Sequence, residues 1–255
     1  WSVNIFIEDL AAAYDALFKN MAPSFKDLPI QYVDFAAWQR SLFYEEQTQK
    51  QLIFWKNQLN GVPFLDLPTD RSRPSIHTPH GTILTSYFDK QLTRKIKKFS
   101  KEQNSTLFMT LLAIFSILLY NYSRQKDMAI GTMIANRQYE ELEPIIGFFS
   151  NTIAIRLDLS ENPVFLDFLQ SVRRITMEAY DNQDLPFEKL VEELNPPRDL
   201  SRTPIFQVMF IMQQETEPTV IRQDLKFTQL GFDSRNAKFD LTLYIKEEND
   251  CLSAY

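Results

Sequence analysis

Apolar residues recur along this chain with two periods, and the switch between them divides it into elements. Val3, Phe6, Leu10, Tyr14 and Leu17 stand three or four positions apart, which predicts an amphipathic helix from the first residues. After a break at Pro23, the run from Tyr32 to Leu59 keeps helical spacing through Phe35, Trp38, Leu42, Leu52 and Trp55 and stops at Gly61 and Pro63. Residues 62–81, with their prolines, charges and both histidines, predict an irregular surface stretch. "TILTSYFD" alternates like a half-buried strand, residues 90–103 predict a basic amphipathic helix, and residues 105–122 a helix buried on nearly all sides. "DMAIGTMIA" and "FFSNTIAIRLDL" predict strands, and a helix follows Pro163. "LPFEKLVEEL" predicts a short helix closed by Pro196 and Pro197. "PIFQVMFIMQ", "LKFTQLGF" and "FDLTLYIKE" predict three more strands. Helices and strands mixed throughout give an α/β or α+β fold.

Composition narrows the chemistry. The 255 residues are 44% hydrophobic, enough for a large core. There are 27 Lys and Arg against 33 Asp and Glu, so no basic footprint for nucleic acid exists. Cys251 is the only cysteine, which excludes a disulfide framework and reads as an ordinary small residue in a reducing compartment. The longest apolar run, Leu107 to Tyr120, is shorter than the roughly twenty residues of a membrane span. The expectation is a soluble cytoplasmic protein with no membrane or nucleic-acid partner.

The glycines, at 61, 81, 131, 147 and 231, are isolated, so neither glycine-rich nucleotide fingerprint is present. His77 and His80 have no third metal ligand beside them and read as a solvated loop. General-base chemistry near neutral pH most often uses His, so no catalytic residue and no metal site is assigned in this chain.

Four stretches carry polar residues in apolar settings. In "YVDFAAW", Asp34 reads as a buried hydrogen-bond acceptor. "IIGFFSNTIAIR" places Asn151 and Thr152 inside an apolar strand. In "NQDLPFEKL", Asp184 and Glu188 are either an acid pair or carboxylates at a helix N-terminus, the latter preferred. In "RDLSRTPIFQ", Arg198, Asp199 and Arg202 either bind an anion or pin a loop through salt bridges, again the latter preferred.

In that order, these stretches resemble the motifs of nonribosomal peptide synthetase condensation domains: Y-x-D-[FY]-A-x-W, I-G-x-F-V-N-T-x-x-x-R (with Ser150 in place of Val), [HN]-Q-D-x-P-F-E and R-D-x-S-R-x-P-[LI]-F. "AKFDLTL" is similar to the family as well, and the likeness covers essentially the whole chain. It implies a chloramphenicol acetyltransferase-like two-layer lobe, with a mixed sheet and helices packed on one face, as the second half of a pseudo-dimeric two-lobed domain. Residues 1–22 would be a residual helix of the N-terminal lobe and residues 23–255 the C-terminal lobe, truncated at both ends. In the family the helix beginning "WS" directly follows H-H-x-x-x-D-G, whose second His is implicated in catalysis.

The implied function is amide formation between a carrier-bound aminoacyl or peptidyl donor and an aminoacyl acceptor, with this chain inactive alone. No cofactor is bound; substrates arrive on phosphopantetheine arms. The implied partners are the N-terminal lobe, upstream and downstream peptidyl carrier proteins and a neighbouring adenylation domain. Arg137 is expected to pair with the Asp of the H-H-x-x-x-D-G motif, and Asn151 and Gln207 to line or support the substrate tunnel. Tyr32, Asp34, Trp38, Gly147, Asp184, Pro186, Phe187, Glu188, Arg198, Asp199, Ser201 and Arg202 are expected to be architectural. The helix bearing Lys90, Arg94, Lys95, Lys97, Lys98 and Lys101 either meets an acidic carrier or is a solvated face, the latter preferred. The alternatives are a noncatalytic carrier-docking module and a heterocyclisation or epimerisation variant.

Overall fold

A computed structural model describes residues 1–42, 45–213, 221–222, 225–226, 235–248 and 250–255. Its centre is a mixed six-stranded sheet. The strands are β1 (Ser86–Phe88), β2 (Asp127–Ile134), β3 (Asn151–Asp158), β4 (Val208–Gln213), β7 (Leu241–Glu248) and β8 (Cys251–Ala254), in spatial order β1-β8-β7-β4-β2-β3. A separate two-residue pair joins β5 (Ile221–Arg222) to β6 (Leu225–Lys226). β4 runs parallel to both β2 and β7; the other neighbours are antiparallel. Parallel strands are buried on both faces. Accordingly, Met128–Thr132 of β2 and Val208–Ile211 of β4 are buried without interruption.

Helices α4 (Lys90–Glu102), α5 (Leu107–Ser123) and α6 (Phe165–Asp181) pack side by side on one face. Phe210 of β4 points into α5, its ring 5.2 Å from Phe108 and 5.8 Å from Phe115. Asp89 and Thr106 cap α4 and α5, each accepting a backbone N–H three residues on.

The opposite face is also covered. Side chains alternate along a strand, so Gly131, paired with Met209, faces away from α5. A Cβ at Gly131 would overlap the Phe206 ring, so only glycine admits that ring here. Phe206 gets there through a tight turn. Its N–H donates to Pro204 O (2.8 Å) across Ile205, whose φ of 68° is unusual for a β-branched residue. Phe187 of α7 (Phe187–Leu194) packs against Phe206 with its ring tilted, the centres 5.4 Å apart. α3 (Glu46–Leu59) pairs with α7. Arg156 of β3, on the Gly131 face, donates to the carbonyls of Gln58 and Asn60 at the end of α3 and forms a two-pronged pair with Asp127. That pairing raises the Arg156 pKa further above its ordinary value. The helical layer expected on one face is therefore α4–α6, and α3 and α7 are an addition on the other.

The remaining elements are α1 (Ser2–Phe18), α2 (Tyr32–Leu42) and a 3-10 turn over Glu140–Leu142. α2 builds a small second core from Phe35, Leu142, Ile145 and Phe149.

Several sequence expectations need correction. Tyr32–Leu59 is two helices, because Glu45 takes an extended conformation (ψ 149°) and restarts the chain as the N-cap of α3. The strand expected from Pro204 starts at Val208, since the Ile205 turn removes its first residues from the ladder. The helix expected to be buried on nearly all sides, α5, exposes Ile114, Leu118 and Tyr122, one stripe at i, i+4 and i+8 facing away from the sheet. Most of "LKFTQLGF", with Gly231, lies outside the described residues. Residues 62–81 are irregular as expected, although Leu65 is buried in the main core. Among the described residues, no single helix is long and apolar enough to cross a membrane.

Candidate functional site

The start of α1, the segment after β2 and the loop before β3 meet at one place. Trp1 Nε1 donates to Glu143 O (3.0 Å) and Ser2 Oγ donates to Gly147 O (2.9 Å). Arg137 lies between them. Its guanidinium donates to Leu142 O and to Ser2 Oγ (3.0 Å), and sits 4.2 Å from the Phe149 ring centre and 5.7 Å from that of Trp1. Cation–π contact and carbonyl acceptors partly replace the water the cation gives up. Burial lowers the Arg137 pKa from its ordinary value, partly offset by Glu143. Among the described residues Arg137 has no carboxylate salt-bridge partner within 4 Å.

The "YVDFAAW" residues support this junction from α2. Tyr32 donates its hydroxyl to Phe148 O (3.0 Å), and its ring meets Phe149 edge-on at 5.2 Å. Gly147 is required beneath it, because a Cβ there would overlap the Tyr32 ring. Trp38 packs edge-on against Tyr139 at 5.6 Å. Asp34 is exposed rather than buried. It lies in the first turn of α2 and accepts the Gln31 N–H (2.8 Å), a solvent-side capping contact that spares a carboxylate the cost of burial.

Asn151 and Asp184 organise a second cluster at the β3 edge. Asn151, 8% exposed, donates to Gln183 O and Leu185 O (both 2.9 Å) and accepts from the Thr152 and Phe187 N–H groups (2.8 and 3.1 Å). These four bonds use its full amide capacity. They fix the loop that carries the chain around the sheet edge from α6 to α7. Asp184 is not a helix cap; Pro186 occupies that position. Its carboxylate instead accepts Gln51 Nε2 (2.8 Å) from α3 and Gln138 Nε2 (2.7 Å) from the segment after β2. Glu188 is exposed in the first turn of α7.

Gln207 precedes β4 rather than lying in it. It is 1% exposed, accepts the Leu65 N–H (2.6 Å) and donates to Thr203 O (3.0 Å). In "RDLSR", Asp199 accepts both the N–H and the hydroxyl of Ser201 (2.8 and 2.6 Å), which lowers its pKa below 3.8. Arg202 pairs with Asp66 (2.7 Å) and Arg198 is exposed, so the cluster pins a loop. Arg73, two-pronged on Asp240 and bonded to Ser201 O (3.1 Å), ties residues 62–81 to the same loop.

His77 and His80 join no group of potential metal ligands among the described residues. On α4, Lys97 pairs with Glu247 and Lys98 with Glu102, while Lys90, Arg94, Lys95 and Lys101 are exposed. Sequence reasoning missed Gln51, Gln138, Arg73 and Asp240. Glutamines on polar helix or loop positions look like surface, and only the fold brings each to its partner.

The architecture is thus a mixed six-stranded sheet with helices on both faces and an arginine that grips the start of the first helix. The chain belongs to the condensation domain family, whose model matches residues 1–254. It is 44% identical to a component of the linear gramicidin synthase of Brevibacillus parabrevis over the whole chain, which is 3% of that relative. It is 36% identical to the phosphinothricin tripeptide synthetase of Streptomyces viridochromogenes, again over the whole chain and 24% of that relative. The X-domain from teicoplanin biosynthesis superposes with a TM-score of 0.87 at 28% identity, over 99% of this chain and 59% of that one. A four-domain nonribosomal peptide synthetase bound to AMP and glycine superposes with a TM-score of 0.88 at 26% identity, over all of this chain and 20% of that one. The chain thus spans a small part of the synthetases it matches.

Proposed function

We propose that this chain is the C-terminal lobe, with one helix of the N-terminal lobe, of a condensation domain. That domain forms an amide between a carrier-bound aminoacyl or peptidyl donor and an aminoacyl acceptor. The observation that carries the reading is Arg137. It is held against Trp1 and Ser2, and burial has drawn it down without a carboxylate partner among the described residues. In the family pattern, the Asp of H-H-x-x-x-D-G lies two positions before the residue aligned with Trp1. This supports Arg137 as the partner of that Asp, holding the catalytic loop. Asn151 and Gln207 act as site support, because their polar atoms are engaged within the lobe. The exposed apolar stripe of α1 supports an N-terminal lobe as its cover. Substrates come on phosphopantetheine arms of upstream and downstream carrier proteins, with an adenylation domain as neighbour.

The test is amide formation from loaded carriers. The 255-residue chain alone is expected to show only the uncatalysed rate. Extended at its N-terminus with H-H-x-x-x-D-G and the rest of a first lobe, it is expected to turn over. An active 255-residue chain, or an extended protein without activity, sinks the reading.

One comparison favours a second reading. The X-domain, similar at 29% identity and a TM-score of 0.86, has been solved in complex with OxyB. A noncatalytic docking role for this chain predicts loss of the second His in the coding sequence upstream of Trp1, with partner binding intact.

A further inference from the structure

Arg137 and Gln138 are consecutive, and each is tied to a different part of the molecule. Arg137 reaches Ser2 Oγ and Leu142 O. Gln138 reaches the other way, to Asp184 Oδ1 at 2.7 Å. Asp184 Oδ2 accepts Gln51 Nε2 at 2.8 Å, and Gln51 Oε1 accepts the Leu185 N–H at 3.1 Å. Gln51 is 3% exposed, although glutamine is a residue usually found at the surface. Buried amides are retained where both ends are bonded, and here both are. Asn151 fixes the carbonyls on either side of Asp184.

From this geometry we infer that Gln51, Asp184 and Gln138 are positioning residues. They form a hydrogen-bonded brace running from α3, through the β3-edge loop, to the segment that carries Arg137, and they set where the guanidinium meets the start of α1. Their bearing on the reaction rests on the proposed amide-forming function; the structural coupling does not. Neither Gln51 nor Asp184 bonds Arg137 itself; both act through Gln138, the residue next to it, and the Asp184 charge strengthens both bonds. A brace of this kind works through geometry: an ångström of misplacement costs of the order of a hundredfold in rate.

The test uses a reciprocal exchange of groups. Asp184→Asn keeps an acceptor for Gln51 but leaves Gln138, once it turns its Oε1 to the new N–H₂, with a neutral bond in place of a charge-assisted one. Adding Gln138→Glu restores a charge-assisted pair there. Hydrogen exchange of the 255-residue chain reads the Gly147, Asn4 and Ile5 amides, which bond to Ser2 Oγ and Trp1 O. The single variant is expected to speed exchange there roughly tenfold, the scale of one lost charge-assisted bond, with β2–β4 unchanged. The double variant is expected to restore the slow rate. In the synthetase carrying this chain, kcat is expected to fall and recover in the same order, with KM for the loaded carriers constant. Unchanged exchange at those three amides, an even rise across the sheet, or no rescue by the double variant overturns the inference. Should Asp184→Asn fail to fold, Gln138→Ala, at an exposed position, gives the same local readout. A wild-type synthetase that forms no amide overturns the catalytic reading alone, and the exchange pattern still decides the brace.

Discussion

Two apolar helices meet opposite fates. α5 buries eight residues, among them Leu112 and Leu119, against the sheet and α6. α1 buries Ala11 alone and leaves Val3, Phe6, Leu10, Tyr14 and Leu17 exposed. Both helices are 17 residues long and apolar on average. Hydrophobic sequence therefore predicts that a helix wants cover without saying where the cover comes from. α5 finds it in β4, through Phe210. α1 is held mainly at its first residues, by hydrogen bonds from Trp1 and Ser2 and by the Arg137 cation. Its stripe is the kind of surface that marks an interaction site.

The largest expected effect tests this contrast directly. Leu112→Ala is expected to cost about 2–5 kcal/mol, the range for a leucine whose loss leaves a cavity. Leu10→Ala, 44% exposed, is expected to stay within about 0.5 kcal/mol in the isolated chain. Urea unfolding of the two variants beside the wild type checks both. A large cost at Leu10 would mean that the stripe is already covered, for instance by self-association, and a concentration series would then reveal it.

Ion pairs offer the next comparison. The Arg73 and Asp240 side chains are only 20% and 17% exposed, and their pair joins residues 62–81 to the start of β7. Hydrogen bonding to Asp240 raises the Arg73 pKa further. Arg73→Ala leaves a partly covered carboxylate without its two-pronged partner and is expected to cost about 1 kcal/mol, well below the figure for a fully buried pair. Arg174 and Glu178 form an i, i+4 pair on the exposed face of α6, with Arg174 61% exposed. Arg174→Ala is expected to cost about 0.3–0.5 kcal/mol. Thermal unfolding of the two variants ranks them; equal losses would remove burial as the deciding variable.

Legibility in the sequence follows the same division between local and distant causes. Period exposed α4, α5, α6, β2 and β3, because each carries its own signal: helical spacing in the first three, alternation in "NTIAIRLD"; the caps at Asp89 and Thr106 emerged only with the structure. Each of the four motif stretches makes tertiary contacts, and those contacts come from residues far away in sequence. Asp184 looked like a cap until Gln51 and Gln138 arrived from 133 and 46 residues off. Asp34 looked buried because its neighbours are aromatic, but a helix turns successive side chains by about 100°, and this one faces water. β8 carried too short a pattern to be seen, and it exists because β7 and β1 supply its two edges.

The smallest effect separates a turn from a salt bridge. Asp199 contacts Arg202 only at 3.8 Å, whereas Ser201 donates to it through both hydroxyl and N–H, and the hydroxyl is the larger cause of its lowered pKa. A carboxyl whose pKa is lower folded than unfolded stabilises the fold fully above its unfolded value, here 3.8, and loses that contribution as pH falls through the folded value. Ser201→Ala removes the hydroxyl and brings the folded pKa back toward 3.8. The variant is therefore expected to be less stable than wild type at about pH 7, with the gap narrowing below pH 3.8 as both proteins protonate Asp199. Urea midpoints at about pH 7 and about pH 3 give the comparison. A gap that stays constant with pH would assign the Ser201 contribution to packing. A gap abolished by Arg202→Ala would return the loop to its salt bridges.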